Sequence, residues 1–321
     1  MGARPRTAQA RDGREVSRLR GCIYGCGMIS EFHLRGWSRI PEVEIAALGN
    51  RTISRAEQRR DRFAPDARVY SDLRAMLDAE KPDFVDILTT PALHREHCRI
   101  ARDAGIHVIC QKPLADTLDD AKAIANDCNG YNKLLAIHEN HRYRPWFRDA
   151  LAEIPGPFTY ARFEHLNATA PGEAYKNESA AGILLEYGSH LVDMMRSVLG
   201  EPRRVYARTH RLNAAVAGES LVHAVYEYDD ATAVVEAGWK NAAVTQGGVL
   251  LAGRDSEIFY EGTLTRGDEG RLRLTRSGQV VADKPCSPMD AYVESSIFFS
   301  ASLRRQCSGT APASYKQPRS I

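Results

Sequence analysis

The chain has 321 residues, a hydrophobic fraction of 43%, a charged fraction of 26% and a formal net charge of +2. That length allows two domains with sizeable cores, and the composition is that of an ordinary globular protein. With 43 basic and 41 acidic side chains there is no field to favour nucleic acid, and no apolar run is long enough for a membrane span or a signal-peptide core. A cytoplasmic protein with a small-molecule substrate, and neither a nucleic-acid nor a membrane partner, is the expectation.

The first twenty residues carry six arginines and little apolar content, so residues 1–18 are expected to be a disordered leader. From residue 19 short apolar runs alternate with amphipathic stretches. The runs GCIYG, VEIAAL, DFVDIL, HVIC and LLAIHE read as strands, and helical patterns lie near 28–40, 53–63, 71–79, 92–104 and 117–128. Such alternation predicts an α/β fold, a doubly wound parallel (Rossmann) sheet with right-handed crossovers, over residues 19–144. The seven cysteines are scattered and form no paired CxxC sites. His94 and His97 stand at i and i+3 without the glutamate of a metalloprotease helix, and no metal site is expected.

The first strand ends in GCGMIS, which offers Gly25, Gly27, Met28 and Ile29 as a dinucleotide loop, with Ser30 where a third glycine often sits. Glycine permits the tight turn and the close approach of a pyrophosphate to a helix N-terminus. After the second strand come Asn50, Arg51 and Thr52 where an acidic residue would bind the ribose hydroxyls and repel a 2′-phosphate. An amide, a guanidinium and a hydroxyl suit a phosphorylated ribose, so NADP(H) is favoured and NAD(H) stays open. Thr89, Thr90, Pro91 and His94 follow the DFVDIL strand and are expected to line the cofactor. His94 could equally be a surface residue near a helix N-terminus. HVIC leads into Gln111, Lys112 and Pro113, a strand-end lysine followed by a residue of fixed φ. Asn140 and Arg142 lie at the exit of the last strand.

Beyond residue 145 the runs FTYARFEHL, RVYARTHRL, LVHAVYEY, ATAVVEAGW, GGVLLAG, SEIFYEG and GRLRLTR are strand-like, several with alternating polarity. They predict a C-terminal α+β domain over 145–321 with a large, mainly antiparallel sheet. In LLEYGSHLVDMMRSVLG, apolar residues at helical spacing put Glu186, His190 and Asp193 on one face, where a carboxylate one turn before a histidine can orient the imidazole. A helix with a merely polar edge is the alternative. Tyr175 and Lys176 stand in a loop that could cover a sugar. DAYVESSIFFSASLRRQ, with its apolar stripe, is expected to pack back on the body.

The glycine loop, TTPALHREH, QKP and AAGILLEYGSHLVD occur in an order that resembles the glucose-fructose oxidoreductase / inositol dehydrogenase / MocA (Gfo/Idh/MocA) family over residues 19 to 305. Within it, QKP followed by HENHRYRP is similar to sugar dehydrogenases of the D-apiose dehydrogenase kind. The resemblance implies an NAD(P)-dependent oxidoreductase acting on a sugar or polyol, with Lys112 beside the nicotinamide, His190 exchanging the proton and Glu186 as their partner. It also implies a homo-dimer or homo-tetramer through the C-terminal sheet. Two departures stand out: Gln111 replaces the family's common glutamate, and Glu186 its usual aspartate. A cofactor-retaining glycosidase of the same fold and a catalytically silent dinucleotide-binding subunit remain the alternatives.

Overall fold

Consecutive residues of Phe84–Ile87 feed opposite sides of a sheet: Phe84 joins one apolar cluster, Val85 and Ile87 another, and all four residues are buried. This is the signature of a central parallel strand covered on both faces. The computed structural model describes residues 7–9, 15–168, 182–212, 216–239, 245–262, 264, 270–286 and 291–307. The chain divides into two units, residues 1–138 with 292–315, and 139–291 with 316–321.

In the first unit β3 (Leu19–Tyr24), β4 (Val43–Gly49), β5 (Arg68–Tyr70), β6 (Phe84–Ile87), β7 (His107–Gln111) and β8 (Leu135–His138) form one parallel sheet in the order β5-β4-β3-β6-β7-β8. Helices α1 (Ser30–Ser38), α2 (Ile53–Phe63), α3 (Leu73–Glu80), α4 (Pro91–Asp103) and α5 (Leu118–Asp127) make the crossovers. Local chemistry sets their starts. Asp72 and Thr117 accept the N–H groups of Ala75 and Asp120, and Pro91 occupies the first turn of α4. The expected strands and helices are all present. The addition is β5, a three-residue strand too short and polar to register as an apolar run.

Two expectations at the ends of the chain are corrected. Within the supposed disordered leader, Thr7–Gln9 (β1) and Glu15–Ser17 (β2) pair antiparallel. The final helix, here α8 (Ala291–Cys307), groups almost entirely with the first unit rather than the second. Phe299 and Leu303 are buried in the same cluster as Leu34, Trp37 and Phe84. A Cβ on Gly36 would meet Ser296 Oγ at 2.8 Å and the Tyr292 carbonyl at 2.9 Å, so α1 and α8 approach through a glycine.

The second unit carries an eight-stranded sheet of β9 (Tyr160–Asn167), β10 (Arg204–His210), β11 (Leu221–Glu227), β12 (Thr232–Trp239), β13 (Gln246–Ala252), β14 (Ser256–Glu261), β15 (Gly270–Arg276) and β16 (Gln279–Cys286). The order is β10-β11-β12-β9-β13-β14-β15-β16, antiparallel throughout except for the β12–β9 pair. Alternating side chains such as Phe163, Val235, Val249, Leu251, Ile258 and Leu272 build one core with Trp146 and Phe147 of α6 (Pro145–Glu153) and with Leu191, Met194 and Met195 of α7 (Ser189–Leu199). Seven strands were expected. The eighth, β16, is a polar edge strand whose Pro285 hid it, and an edge is where proline is tolerated. Among the described residues no helix is long and apolar enough to cross a membrane.

Candidate functional site

In the first unit the strand order reverses between β3 and β6, the switch point outside whose carboxyl ends open α/β sheets bind ligands. Gly25 follows β3 with φ +111°, and a Cβ there would lie 2.6 Å from the Leu88 carbonyl group, so only glycine fits. At Gly27, by contrast, a Cβ would meet nothing within 4 Å. Open space above this loop, an exposed Met28 and a helix with no side-chain N-cap fit a bound pyrophosphate. Ser30, in the third-glycine position, donates its hydroxyl to the Gly27 carbonyl at 2.6 Å.

Asn50 does more for the protein than expected. Its Oδ1 accepts the Cys26 N–H at 3.0 Å and its Nδ2 donates to the Thr52 carbonyl at 2.9 Å, so the amide ties β4 to the glycine loop. Arg51 and Thr52 beside it are exposed.

At the end of β6, Thr89 Oγ1 bonds His97 Nδ1 at 3.0 Å, and Thr90 precedes Pro91 in an extended conformation. His94 is fully buried, with Nδ1 3.0 Å from the Leu114 carbonyl and Nε2 3.0 Å from the Thr89 carbonyl. It is not the surface residue that was the alternative: the loops after β6 and β7 each bring a carbonyl to one of its ring nitrogens. Burial holds its imidazole below the usual range, with the carbonyls opposing. Lys112 follows β7, joined to Pro113 by a cis peptide, and its N–H donates to Gln111 Oε1 at 2.7 Å. Gln111 Nε2 in turn lies 3.0 Å from His33 Nε2.

The second unit gathers a set of rings and charges around α7. His190 is 5% exposed, and its Nδ1 forms an ion pair with Glu139 Oε2. It stacks on His141 with centroids 3.9 Å apart and stands edge-on to Tyr187 at 5.6 Å. His141 Nδ1 lies 3.0 Å from Asn140 Oδ1, and its Nε2 lies 3.1 Å from Arg144 Nη2 and 3.2 Å from the Leu264 carbonyl. Arg144 is 4% exposed and also donates to the Leu264 carbonyl at 2.6 Å, with no carboxylate partner among the described residues. His165 stacks on Tyr187 at 3.6 Å, and burial, reinforced by Arg144, pushes its imidazole down to about 3.

Several sequence expectations change here. The Glu186 to Asp193 stretch is not one continuous α-helix, since Leu184–Gly188 is a π-helical turn before α7 begins at Ser189. Such turns widen the backbone by one residue and break i, i+4 register. The carboxylate on His190 Nδ1 belongs to Glu139, which the sequence reading passed over while choosing Asn140 and Arg142 from the same stretch. Its signal was available: an acid immediately after the last strand of a parallel sheet. Asp193 is held in a bidentate pair by Arg142, with Nε to Oδ2 at 2.5 Å, so Arg142 has its anion within the protein. Asn140 is 5% exposed and engaged by His141. Tyr175 and Lys176 lie outside the described residues.

A family profile described as an oxidoreductase family with an NAD-binding Rossmann fold matches residues 19–139, and a GFO/IDH/MocA C-terminal domain profile matches residues 156–258. D-apiose dehydrogenase of Paraburkholderia graminis is 34% identical over 270 residues, covering 81% of this chain and 68% of that protein. The chain belongs to the Gfo/Idh/MocA family. D-apiose dehydrogenase of Rhizobium rhizogenes is 29% identical and covers 72% of this chain and 69% of its own. Among solved structures, an Agrobacterium radiobacter oxidoreductase in complex with NAD⁺, L-tartaric acid and magnesium matches with a TM-score of 0.80 at 25% identity, covering 92% of this chain and 91% of that one. As a Gfo/Idh/MocA protein this chain is an oxidoreductase of the nicotinamide-dependent kind.

Proposed function

We propose that this Gfo/Idh/MocA protein is an NAD(P)-dependent dehydrogenase that interconverts a secondary hydroxyl and a carbonyl on a sugar or polyol. The observation that carries the reading is His190 with its Nδ1 on the Glu139 carboxylate. A carboxylate at Nδ1 supports a ring that exchanges its proton through Nε2. A nicotinamide bound at the switch point supplies the hydride chemistry. Lys112 stabilises the oxygen as its charge changes, and its backbone is held by the Gln111 side chain at the end of β7. The substrate class is supported by the two D-apiose dehydrogenase relatives.

The absence of an acidic residue after β4 and the exposure of Arg51 favour NADP(H). Among the described residues, helices α6 and α7 pack on the eight-stranded sheet in one core, and a homo-oligomer assembled through this sheet suits that arrangement.

Absorbance of the reduced nicotinamide at 340 nm, followed with NAD⁺ and NADP⁺ against a panel of sugars, polyols and sugar acids, tests this reading. Reduction that vanishes in Lys112→Ala supports it. Release of a free sugar from glycosides without net reduction would point to the hydrolase alternative. Nucleotide binding with no turnover in either assay would leave the dehydrogenase reading without support.

A further inference from the structure

A backbone N–H can only donate, so the Lys112 N–H requires the oxygen of the Gln111 amide to face it, at 2.7 Å. The NH₂ of that amide therefore faces His33 Nε2, 3.0 Å away. His33 Nε2 must then present a lone pair, which puts the ring proton on Nδ1, 2.8 Å from Asp86 Oδ2. Trp37 Nε1 donates to the same oxygen at 2.9 Å. The polarity of the whole chain of bonds is forced from its outer end, and it terminates on a carboxylate that is fully buried. Among the described residues Asp86 Oδ1 has no partner, which makes the two donors on Oδ2 more costly to lose.

We infer that Asp86, His33 and Gln111 are positioning residues that hold the Lys112 backbone through a one-way hydrogen-bond relay, and that the relay requires a neutral, Nδ1-protonated His33. It rests on the reading of Lys112 as the group that stabilises the substrate oxygen. It also gives a role to Gln111, a position where the family resemblance implies glutamate. A carboxylate at 111 would still accept the Lys112 N–H, but it would face the lone pair of His33 unless that ring took a second proton. A neutral amide fits the neutral ring.

Groups from every element packed against it face the His33 ring. Asp86 faces it from β6, Gln111 from β7, His138 from β8 with centroids 4.2 Å apart, and Tyr292 from α8 at 5.6 Å. Trp37 comes from its own helix and reaches the same carboxylate. Ser295 Oγ donates to the Tyr292 carbonyl at 3.1 Å, so it accepts from His138 Nε2 at 3.0 Å and fixes that ring's proton as well.

The test uses full-length protein labelled with ¹⁵N-histidine, with the His33 resonances identified by their loss in His33→Asn. Long-range ¹H–¹⁵N spectra should show His33 neutral with its proton on Nδ1 at pH 7, and doubly protonated at pH 7 in Gln111→Glu. An Nε2–H tautomer or an imidazolium in the wild type would overturn the relay, as would an unchanged His33 in Gln111→Glu. Gln111→Met keeps the volume and removes both bonds. Hydrogen–deuterium exchange of the 107–116 segment should then rise several-fold, and kcat should fall by about tenfold to a hundredfold with nucleotide affinity little changed. Unaltered exchange in Gln111→Met would show that the relay does not hold Lys112. The spectra and the exchange need no substrate. A relay seen in both, together with a Lys112→Ala variant as active as the wild type, would therefore remove the catalytic reading and leave the relay standing.

Discussion

In the proposed mechanism Glu139 stands at the His190 nitrogen that keeps its proton while the other exchanges one. Glu139→Gln keeps the shape and removes the charge. The expected outcome is a fall in kcat of about a hundredfold, within the range general acid–base groups contribute, and an acidic limb of the rate profile moved to lower pH because the imidazolium is less stabilised. Glu186→Gln provides the contrast: an equal loss with the same displacement of the limb would return the orienting role to Glu186. On the NADP(H) reading, Arg51→Ala should raise KM for NADP⁺ by about tenfold with KM for NAD⁺ nearly unchanged, because only a 2′-phosphate gains from the guanidinium. Equal effects on both nucleotides would end the case for NADP⁺ preference. These residues differ in how readable they were. Lys112 and His190 stood out because their types and places in a motif announce chemistry. Glu139 did not, since its partner lies fifty-one positions further along the chain. His94 looked like a ligand-facing residue because a histidine near a helix start usually meets solvent, and only the fold supplies the two carbonyls that enclose it.

Elements carry the next set of consequences. The turn from β3 to α1 contains two glycines with opposite requirements. Gly25→Ala would strain a positive φ and drive a Cβ into the Leu88 backbone, costing on the order of 1–3 kcal/mol and lowering Tm by several degrees. Gly27→Ala should leave Tm within about a degree, since nothing stands within 4 Å, yet weaken dinucleotide binding by about tenfold or more as the methyl occupies the pyrophosphate's space. Thermal melts with and without nucleotide separate the two, and equal affinity for wild type and Gly27→Ala would contradict the loop assignment. The strands and helices of the first unit were legible because each is a run of one period bounded by its own cap or turn. The π-helical turn at Leu184–Gly188 was not, because its residues have ordinary helical spacing and nothing local distinguishes an i to i+5 ladder.

For the molecule as a whole, acid should be a stress before the carboxylates titrate. His165 and His107 are held neutral, burial pushing them down to about 3 and about 4 respectively. His107 Nδ1 accepts the Leu134 N–H at 2.8 Å, a bond that protonation would abolish. Because the folded-state values lie below those of the unfolded chain, near 6.5, the unfolded state takes up protons first. Their stabilisation is complete above about pH 6.5 and declines as pH falls toward the folded values, for His165 by up to about 1.4 kcal/mol per pH unit. Urea unfolding at pH 7 and pH 5 should show the loss, and His165→Phe, which keeps the stack on Tyr187, should reduce it. An identical pH dependence in that variant would refute the assignment.

From the sequence alone follow the parallel first sheet and the mainly antiparallel second one, because periodicity and motif order are local properties of the chain. The partners of individual side chains came only with the tertiary structure. His33 and Gln111 are seventy-eight residues apart, and Gln111 reads as a departure from a motif until β6, β7 and α1 bring Asp86, His33 and the Lys112 amide into line. The allocation of α8 to the first unit was likewise decided by packing, through Phe299 and Leu303 and the absence of a side chain at Gly36. Donor and acceptor pairing is a property of contact, and contact between distant residues is what folding adds to composition and spacing.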